Sequence, residues 1–593
     1  MSVSREPLLE KVILRNTENS GWLVFEKPLE VLTARDSTQV LPVLLEAEKK
    51  AAEANLFVAG FVRYEAASGF DSAHKTHAPG GVPLVCLGLF DEPQSSHHLE
   101  APTSASQPVS GWTMSESPAD YADKISAIKR QIQRGNTYQI NYTLRQSAEI
   151  ADPWQLFLGI ATDVAHAAYV EYLGQAIVCA SPELFFQLQG EQLICRPMKG
   201  TAPRGMTTAA DLAMGEELHD SVKNRAENVM ITDMVRNDLG RIAKVGSVHA
   251  SALFAVEKLK TVWQMTSTVT ASTTASITEI FEALFPCASV TGAPKVASMA
   301  VIADLEATPR GIYTGAIGFF GPGRQAKFNV AIRTVAVDKK TNEAVYGIGG
   351  GIVWDSEADE EYAECLSKAR ILSAPHVQPK DFQLLETMLW SPEEGFFLID
   401  EHLSRLRSSA AYFDFEFNLG KIRSVLSRRA KKLPKLAHRI RLLLYRDGRV
   451  RTSHVLYVAS SDQPVRVALA ADPIDKKDPF LYHKTTRRGV YARALQSVGA
   501  DDVLLWNREG YITETSIANV IIDIDGELYT PPVESGLLGG TYRTYMLKGG
   551  RIKERPIKVS EVTPATEMTL INSVRGAYAA VFEGIGQCVD PTS

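Results

Sequence analysis

Two α/β domains in succession, of the α+β kind, are what this sequence predicts. Three observations carry the expectation. At 593 residues the chain is too long for one hydrophobic core. A two-proline connector, Ser373-Ala-Pro-His-Val-Gln-Pro-Lys380, interrupts it. On both sides of the connector, apolar strand-like runs bounded by turn residues are interspersed with amphipathic helix candidates. The expected layout is therefore residues 1–373, a linker at 374–380, and residues 381–593. No internal repeat relates the two parts.

Composition narrows the function. Hydrophobic residues make up 45% and charged residues 22%, ordinary for a globular protein. A net charge of -6 carries no electrostatic footprint for nucleic acid, although a pocket can still be locally cationic. The six cysteines, at 86, 179, 195, 287, 365 and 588, form no CxxC pair, so reduced thiols in a cytoplasmic protein are expected. The first residues mix charges into their apolar positions and predict no signal peptide. No apolar run reaches the ~18 residues of a membrane span.

Along the first half, residues 93–118 are rich in Ser, Pro and His and read as an exposed loop, with His97-His98 solvated. Glu183 follows in Ala-Ser-Pro-Glu-Leu-Phe-Phe, and Lys199 in Cys-Arg-Pro-Met-Lys-Gly-Thr-Ala-Pro-Arg, a turn-rich segment after an apolar strand-like run. A carboxyl beside a lysine on neighbouring strands suits a proton donor and a nucleophile, or else a surface ion pair on a hairpin. Residues 223–241 predict a helix, with Ile231, Met234, Val235 and Leu239 as its apolar stripe, Glu227 near its start and Gly240 as its stop. Ser289-Val-Thr-Gly-Ala-Pro-Lys295 is a small-residue loop whose backbone N–H groups could face an anion. Asn329–Thr334 alternates like a strand and brings Arg333 to one face. Gly347–Val353 clusters glycines at a strand, where a ligand could approach the backbone. In Asp359–Arg370, Glu361 and Glu364 share a helix face. Carboxylates converging from separate helices would suit Mg²⁺; a solvated acidic helix is the plainer reading.

After the connector, Leu384-Leu-Glu-Thr-Met precedes a charged helix at Glu401–Arg407. Asp478-Pro-Phe-Leu-Tyr-His-Lys places Lys484 after an aromatic strand. Apolar segments at Asp502–Gly510 and Ile512–Val520, then Tyr529–Pro532 and Gly536–Arg543, suggest an α/β domain.

Eight pieces in the first half stand in the order of the chorismate-utilising enzymes: Gly135–Thr143, Ser181-Pro-Glu-Leu-Phe, Arg196-Pro-Met-Lys-Gly-Thr, Arg225-Ala-Glu-Asn, Val290-Thr-Gly-Ala-Pro-Lys, Ile332-Arg-Thr, the glycine cluster, and Glu361-Tyr-Ala-Glu. The chain resembles that family along most of residues 1–373. The resemblance implies an antiparallel-sheet sandwich with flanking helices. It implies Mg²⁺ on Glu227, Glu361 and Glu364, and substrate held by Arg333, Lys368, the backbone of Gly349, Gly350 and Gly351, and the Thr291-Gly292 turn. Chorismate is a dianion, and a cation on one carboxylate with Arg or Lys on the other cancels charge and fixes the ring. By the resemblance, Lys199 matches the aminodeoxychorismate synthase branch, whose lysine is understood to add at C2 as the C4 hydroxyl leaves, before ammonia adds at C4 and expels it. Glu183 matches the acid that protonates the leaving hydroxyl. The water-adding relatives carry a lysine near where Gln139 stands, which disfavours isochorismate synthesis. Gln264 replaces a histidine found in many relatives and, unlike histidine, cannot shuttle a proton near neutral pH.

The second half resembles the fold-type IV pyridoxal-phosphate enzymes, a two-layer α/β fold that includes aminotransferases and aminodeoxychorismate lyase. Lys484 matches the cofactor lysine and Glu514 the partner of the pyridinium nitrogen. Arg405, the backbone at Ile517-Ala518 and the Gly540-Thr541 turn match phosphate ligands. Together the resemblances imply a bifunctional enzyme of p-aminobenzoate synthesis on the folate route. Ammonia would come from solution or from a separate glutamine amidotransferase, and the C-terminal domain would form a homodimer. The rivals are an anthranilate-type synthase fused to a branched-chain or D-amino-acid aminotransferase, and a chorismate-binding scaffold without turnover.

Overall fold

The computed structural model describes residues 8–17, 21–99, 111–161, 164–259, 262–373, 382–459 and 463–585. The expected linker and Cys588 lie outside them. The chain forms two compact units, Met1–Pro203 with Gly215–Gln378, and Arg204–Met214 with Pro379–Ser593.

The first unit contains two ten-stranded sheets, antiparallel at every pairing. One runs from Gly292–Ala293 through Gln139–Glu149, Glu343–Ile352, Thr334–Asp338, Gln175–Ser181, His166–Tyr172 and Lys11–Arg15 to Trp22–Glu26 and Gln94–Ser96. The other runs from Met198–Pro203 through Val262–Ser272, Gln192–Arg196, Leu184–Gln189 and Gln325–Val330 to Ala316–Gly321, Phe57–Val62, Val85–Phe90 and Glu30–Ala34. Val12, Phe25 and Ile177 of the first meet Phe61, Phe90 and Ile317 of the second, so the sheets pack face to face. Each outer face is covered by helices. Pro118–Gln133 and Ala358–Ser373 lie over the first sheet; Val40–Ala54, Val222–Gly240 and Ile277–Leu284 lie over the second. Strands such as Val85–Phe90 are therefore buried at every position rather than at alternate ones. Two helix starts carry a capping box, Ser117 with Asp120 and Ser276 with Glu279.

In the second unit, Leu384–Ser391, His438–Leu444 and Val450–Leu456 form a small sheet with Gly395–Phe396. Helices Ile399–Phe413 and Leu419–Ala430 cover it through Leu403, Leu406 and Leu426 on Ile440 and Leu442. Burial alternates along His438–Leu444, which turns Arg439 and Arg441 to the opposite face. An eight-stranded mixed sheet makes the other half, and the pairing of Ile512–Thr515 with Asn519–Ile524 closes six of its strands into a ring.

Three local expectations change. The span 329–334 is not one strand: the first ends at Val330, the next begins at Thr334, and Arg333 sits between them at φ 51°. Those strands belong to different sheets, so the chain must cross over there. The aromatic segment before Lys484 is a 3₁₀ turn, Pro479–Leu481, started by the Asp478 side chain. The Ser/Pro/His-rich stretch, described at its two ends only, adds an edge strand at Gln94–Ser96 and a short pairing at Thr113–Met114; His97 and His98 are exposed. The 223–241 helix spans Val222–Gly240, capped by Ser221, with Gly240 as its last residue.

Candidate active sites

The first cavity, about 340 Å³, is lined by Glu183, Lys199, Glu227, Arg333, Glu361 and Lys368, among others. Lys199 lies on strand Met198–Pro203, whose pairing with Val262–Ser272 slips between Met198 and Thr201. Such a bulge re-aims a side chain, and Gly200 takes φ 94° within it. Gln264 pins the bulge: its amide donates to the Gly200 carbonyl at 2.8 Å and accepts from the Thr201 hydroxyl at 3.1 Å. The Lys199 amine stands 3.6 Å from Glu227. A Cβ on Gly351 would lie 2.2 Å from that amine, so a side chain there would displace the lysine's end from its present position. The Gln139 amide abuts the same point at 2.6 Å, fully buried, and neither its oxygen nor its nitrogen is hydrogen-bonded among the described residues.

Glu183 is 2% exposed, between Gln175–Ser181 and Leu184–Gln189. Burial raises it to about 7, against the opposing pull of the Ser289 hydroxyl, the Met198 backbone and Lys199. A carboxyl at that level can give up a proton near neutral pH. Arg333 reaches the cavity with no hydrogen-bond partner for its guanidinium among the described residues, which suits it to an incoming anion.

The three glutamates line one cavity, each with a local partner. Glu227 faces Lys199, Glu361 accepts from Ser356 at 2.7 Å, and Glu364 pairs with Lys368 at 2.9 Å. Lys368 also donates to the Gly349 carbonyl at 2.8 Å. Burial raises Glu361, whereas the Lys368 charge lowers Glu364. Among the described residues no three His, Cys, Asp or Glu stand close enough to form a ready metal cluster. The donor set still fits a hard divalent cation: carboxylate oxygens facing one space, that of Glu361 half-buried and bonded by a serine hydroxyl rather than by a cation.

Not every expected residue reaches this cavity. Thr291 is fully buried, with its hydroxyl turned back to the Cys287 and Ala288 carbonyls. Gly292 pairs with Ile140, and a Cβ there would strike the Gln139 carbonyl at 2.2 Å. Gly349 and Gly351 line the cavity; Gly350 lies against Glu361 instead. Two features escaped sequence reading. Ser289 donates to Glu183 at 2.6 Å. Arg310, paired with Glu306 at 2.7 Å and 1% exposed, donates to the carbonyls of Val290 and Asn141, two wall residues. Ser289 belonged to a motif already singled out; nothing in local sequence marked Arg310.

The second cavity, about 470 Å³, brings together Lys484, Glu514, Arg405, Ile517, Ala518, Gly540 and Thr541. Burial lowers Lys484 to about 8, helped by the Arg405 charge. Burial raises Glu514 to about 7 even though Tyr491 donates to it at 2.8 Å, the Leu538 N–H at 3.2 Å and Asn519 at 3.3 Å. Arg405 is braced by two bonds to Glu386, at 2.9 and 2.6 Å. Burial works to raise Glu386, but Arg405 and His402 outweigh it and hold it at about 2. The helix Thr541–Lys548 opens on the cavity at Gly540, where a Cβ would sit 1.9 Å from the Asn519 amide oxygen. A glycine-opened helix N-terminus beside an arginine fits a phosphate, and a buried carboxyl fits a protonated ring nitrogen. Arg439, Arg441, Arg488 and Arg575 also line this cavity and were not anticipated. The alternation of charged and apolar residues along 438–444 was the signal for the first two.

Comparison with known proteins places this geometry. The chain belongs to the chorismate binding enzyme family, whose profile matches residues 10–374, and the profile of the class IV amino-transferases matches residues 383–580. Aminodeoxychorismate synthase component 1 of Bacillus subtilis (strain 168) is 38% identical over 254 residues, 42% of this chain and 54% of that protein. Anthranilate synthase component 1 1 of Haloarcula marismortui is 38% identical over 257 residues, 42% of this chain and 52% of that one. The chain spans about half the length of these curated relatives. The crystal structure of anthranilate synthase component I from Streptococcus pneumoniae TIGR4 superposes with a TM-score of 0.52 at 22% identity, over 59% of this chain and 91% of that one, a likeness of fold. Equal identity to proteins of two different names leaves the activity to be argued from the site.

Proposed function

We propose that this chain makes p-aminobenzoate in two steps, forming 4-amino-4-deoxychorismate from chorismate and ammonia and then eliminating pyruvate from it. The observation that carries the first step is Lys199, aimed by a bulge into a cavity that also holds a carboxyl near 7. In this reading Lys199 Nζ attacks C2 while the C4–O bond breaks and Glu183 supplies the proton with which the hydroxyl leaves as water. Ammonia then adds at C4, the bond between C2 and Lys199 breaks, and the lysine is regenerated. Two allylic displacements return the substituent to C4, so the amine ends there rather than at C2. Arg333 and Lys368 supply positive charge for the substrate's carboxylates. Glu227, Glu361 and Glu364 would hold Mg²⁺, which neutralises carboxylate charge when bound. Ammonia comes from solution or from a separate glutamine amidotransferase subunit.

Pyridoxal phosphate in the second cavity would serve as an electron sink for a carbanion at C4. Lys484, lowered to about 8, can take the C4 proton near neutral pH. Glu514 would hold a proton on the ring nitrogen, and Arg405 with the Gly540-Thr541 helix start would hold the phosphate. Departure of pyruvate leaves the aromatic ring.

The test is purified protein with chorismate, Mg²⁺, pyridoxal phosphate and ammonium, with products separated chromatographically. p-Aminobenzoate is the expected product; anthranilate, or untouched chorismate, would overturn the reading.

A further inference from the structure

Glu183 is held by a hydroxyl that is itself held from behind. The Ser289 hydroxyl donates to Glu183 Oε1 at 2.6 Å, and Cys287 Sγ stands 3.2 Å from that hydroxyl oxygen. All three groups are buried. A serine hydroxyl has one proton, and here it is committed to the carboxylate. The contact with Cys287 must then be donated by the thiol. Burial, reinforced by the Glu183 charge, pushes that thiol up to about 12, so it retains its proton. The order is thiol to hydroxyl to carboxylate, each donor polarised by the one behind it. Ser289 owes its position to the 3₁₀ turn Ala288–Val290, whose last carbonyl accepts from Arg310 at 2.8 Å.

We propose that Ser289 is a positioning residue for Glu183: its hydroxyl fixes the rotation of the carboxyl through Oε1 and leaves Oε2 to carry the proton given to the leaving hydroxyl. This rests on the reading of Glu183 as the acid of the first step. The groups facing the carboxyl are Ser289 and Cys287 on one side, and the Met198 N–H and Lys199 amine on the other. Of these only Ser289 bonds through a side chain that carries no charge. Removing it withdraws a donor from the ionised form, so Glu183 keeps its proton to higher pH.

The experiment is the pH profile of kcat for chorismate consumption in the full chain with Mg²⁺ and ammonium. The acid must be protonated, so parental kcat falls on the alkaline side. In Ser289→Ala that fall should move up by about one pH unit, the size expected for one lost hydrogen bond to a charged group. KM should stay within about twofold, while kcat at neutral pH drops roughly tenfold for want of orientation. Ser289→Thr, which keeps the hydroxyl, should return both toward the parent. Cys287→Ala should shift the profile in the same direction by less, and it serves should Ser289→Ala not fold. An unmoved profile in Ser289→Ala, or in Cys287→Ala where the first variant is unfolded, overturns the inference. Glu183→Gln separates this from the parent reading. It should abolish the alkaline fall along with most of the rate, and a variant retaining both would refute Glu183 as the acid whatever Ser289 does.

Discussion

Each cavity sets a lysine against a buried glutamate near 7, yet the two lysines stand in opposite fields. Lys199 faces Glu227 at 3.6 Å, in a space lined by four glutamates in all. Lys484 faces Glu514 but shares its space with Arg405, Arg439, Arg441, Arg488 and Arg575. The first field can gather a cation and, with Arg333 and Lys368, a dianion as well. The second adds the Arg405 and Arg488 charges to the burial that lowers its lysine to about 8, and can receive anionic groups directly. A lysine–glutamate pair therefore does not define a chemistry. Burial and the charges beyond the pair together set what each lysine can do.

The broadest way to break this comparison is to remove each lysine and follow both steps. Lys199→Ala should lower formation of the 4-amino product by orders of magnitude, because a covalent nucleophile is a route rather than a contact. It should leave conversion of supplied aminodeoxychorismate intact, and traces of a 2-amino product are expected from direct attack at C2. Lys484→Ala should do the reverse: aminodeoxychorismate accumulates, and the visible absorbance of the lysine-bound cofactor disappears. Loss of both steps in either variant, measured by product chromatography, would contradict separate sites. Chelation draws the same line with a gentler tool. All three candidate Mg²⁺ ligands belong to the first unit, so EDTA should halt chorismate consumption and spare pyruvate release from supplied aminodeoxychorismate. Equal inhibition of both would place a metal requirement in the second cavity.

The fields also differ in what they cost the fold. Lys484 releases its proton at about 8 when folded and at its ordinary 10.5 when unfolded. Below pH 8 both states are protonated and the folded one carries the whole penalty of a buried cation. Stability then rises with pH between those values, where only the unfolded chain still binds the proton. Lys484→Met should accordingly stabilise the cofactor-free second unit at pH 7, by about 1–3 kcal/mol, with the gain shrinking toward pH 10. Urea unfolding at the two pH values checks this. A pH-independent gain would mean that packing, not charge, is responsible.

Much of this arrangement was legible in the sequence because chemistry-bearing residues stand out by type. Lys199, Glu183, the three glutamates and Lys484 were each singled out from short segments, Glu514 through the family resemblance, and all reach their cavities. The sandwich with flanking helices was legible through the family resemblance and not through periodicity, since strands buried on both faces do not alternate. What failed was direction. In Ser289–Lys295 attention fell on Thr291 and Gly292, but the 3₁₀ turn rotates Ser289 toward the cavity and Thr291 onto its own backbone. Arg333 was expected along a strand; a left-handed residue at a sheet crossover re-aims it. The brace of Arg310 joins residues 20 and 169 positions apart, a relation that only the folded chain contains.

The finest distinction lies in the hydroxyls that serve the two glutamates. Ser289 donates to Glu183 at 2.6 Å and Tyr491 to Glu514 at 2.8 Å, so the pairs look alike. Their surroundings do not. Glu514 also accepts from the Leu538 N–H and the Asn519 amide, and in the proposed reading it would stay ionised against a ring nitrogen rather than give a proton away. Tyr491→Phe therefore removes one donor of three and should raise Glu514 by less than Ser289→Ala raises Glu183. Glu514 must then ionise at greater cost to pair with the cofactor. Affinity for pyridoxal phosphate should fall by several-fold, about 1 kcal/mol, with kcat nearly unchanged once the site is saturated. Titration of the cofactor-free variant, followed by absorbance, measures this. A hundredfold loss would instead show that Tyr491 contacts the cofactor, and that Glu514 depends on one hydroxyl as heavily as Glu183 does.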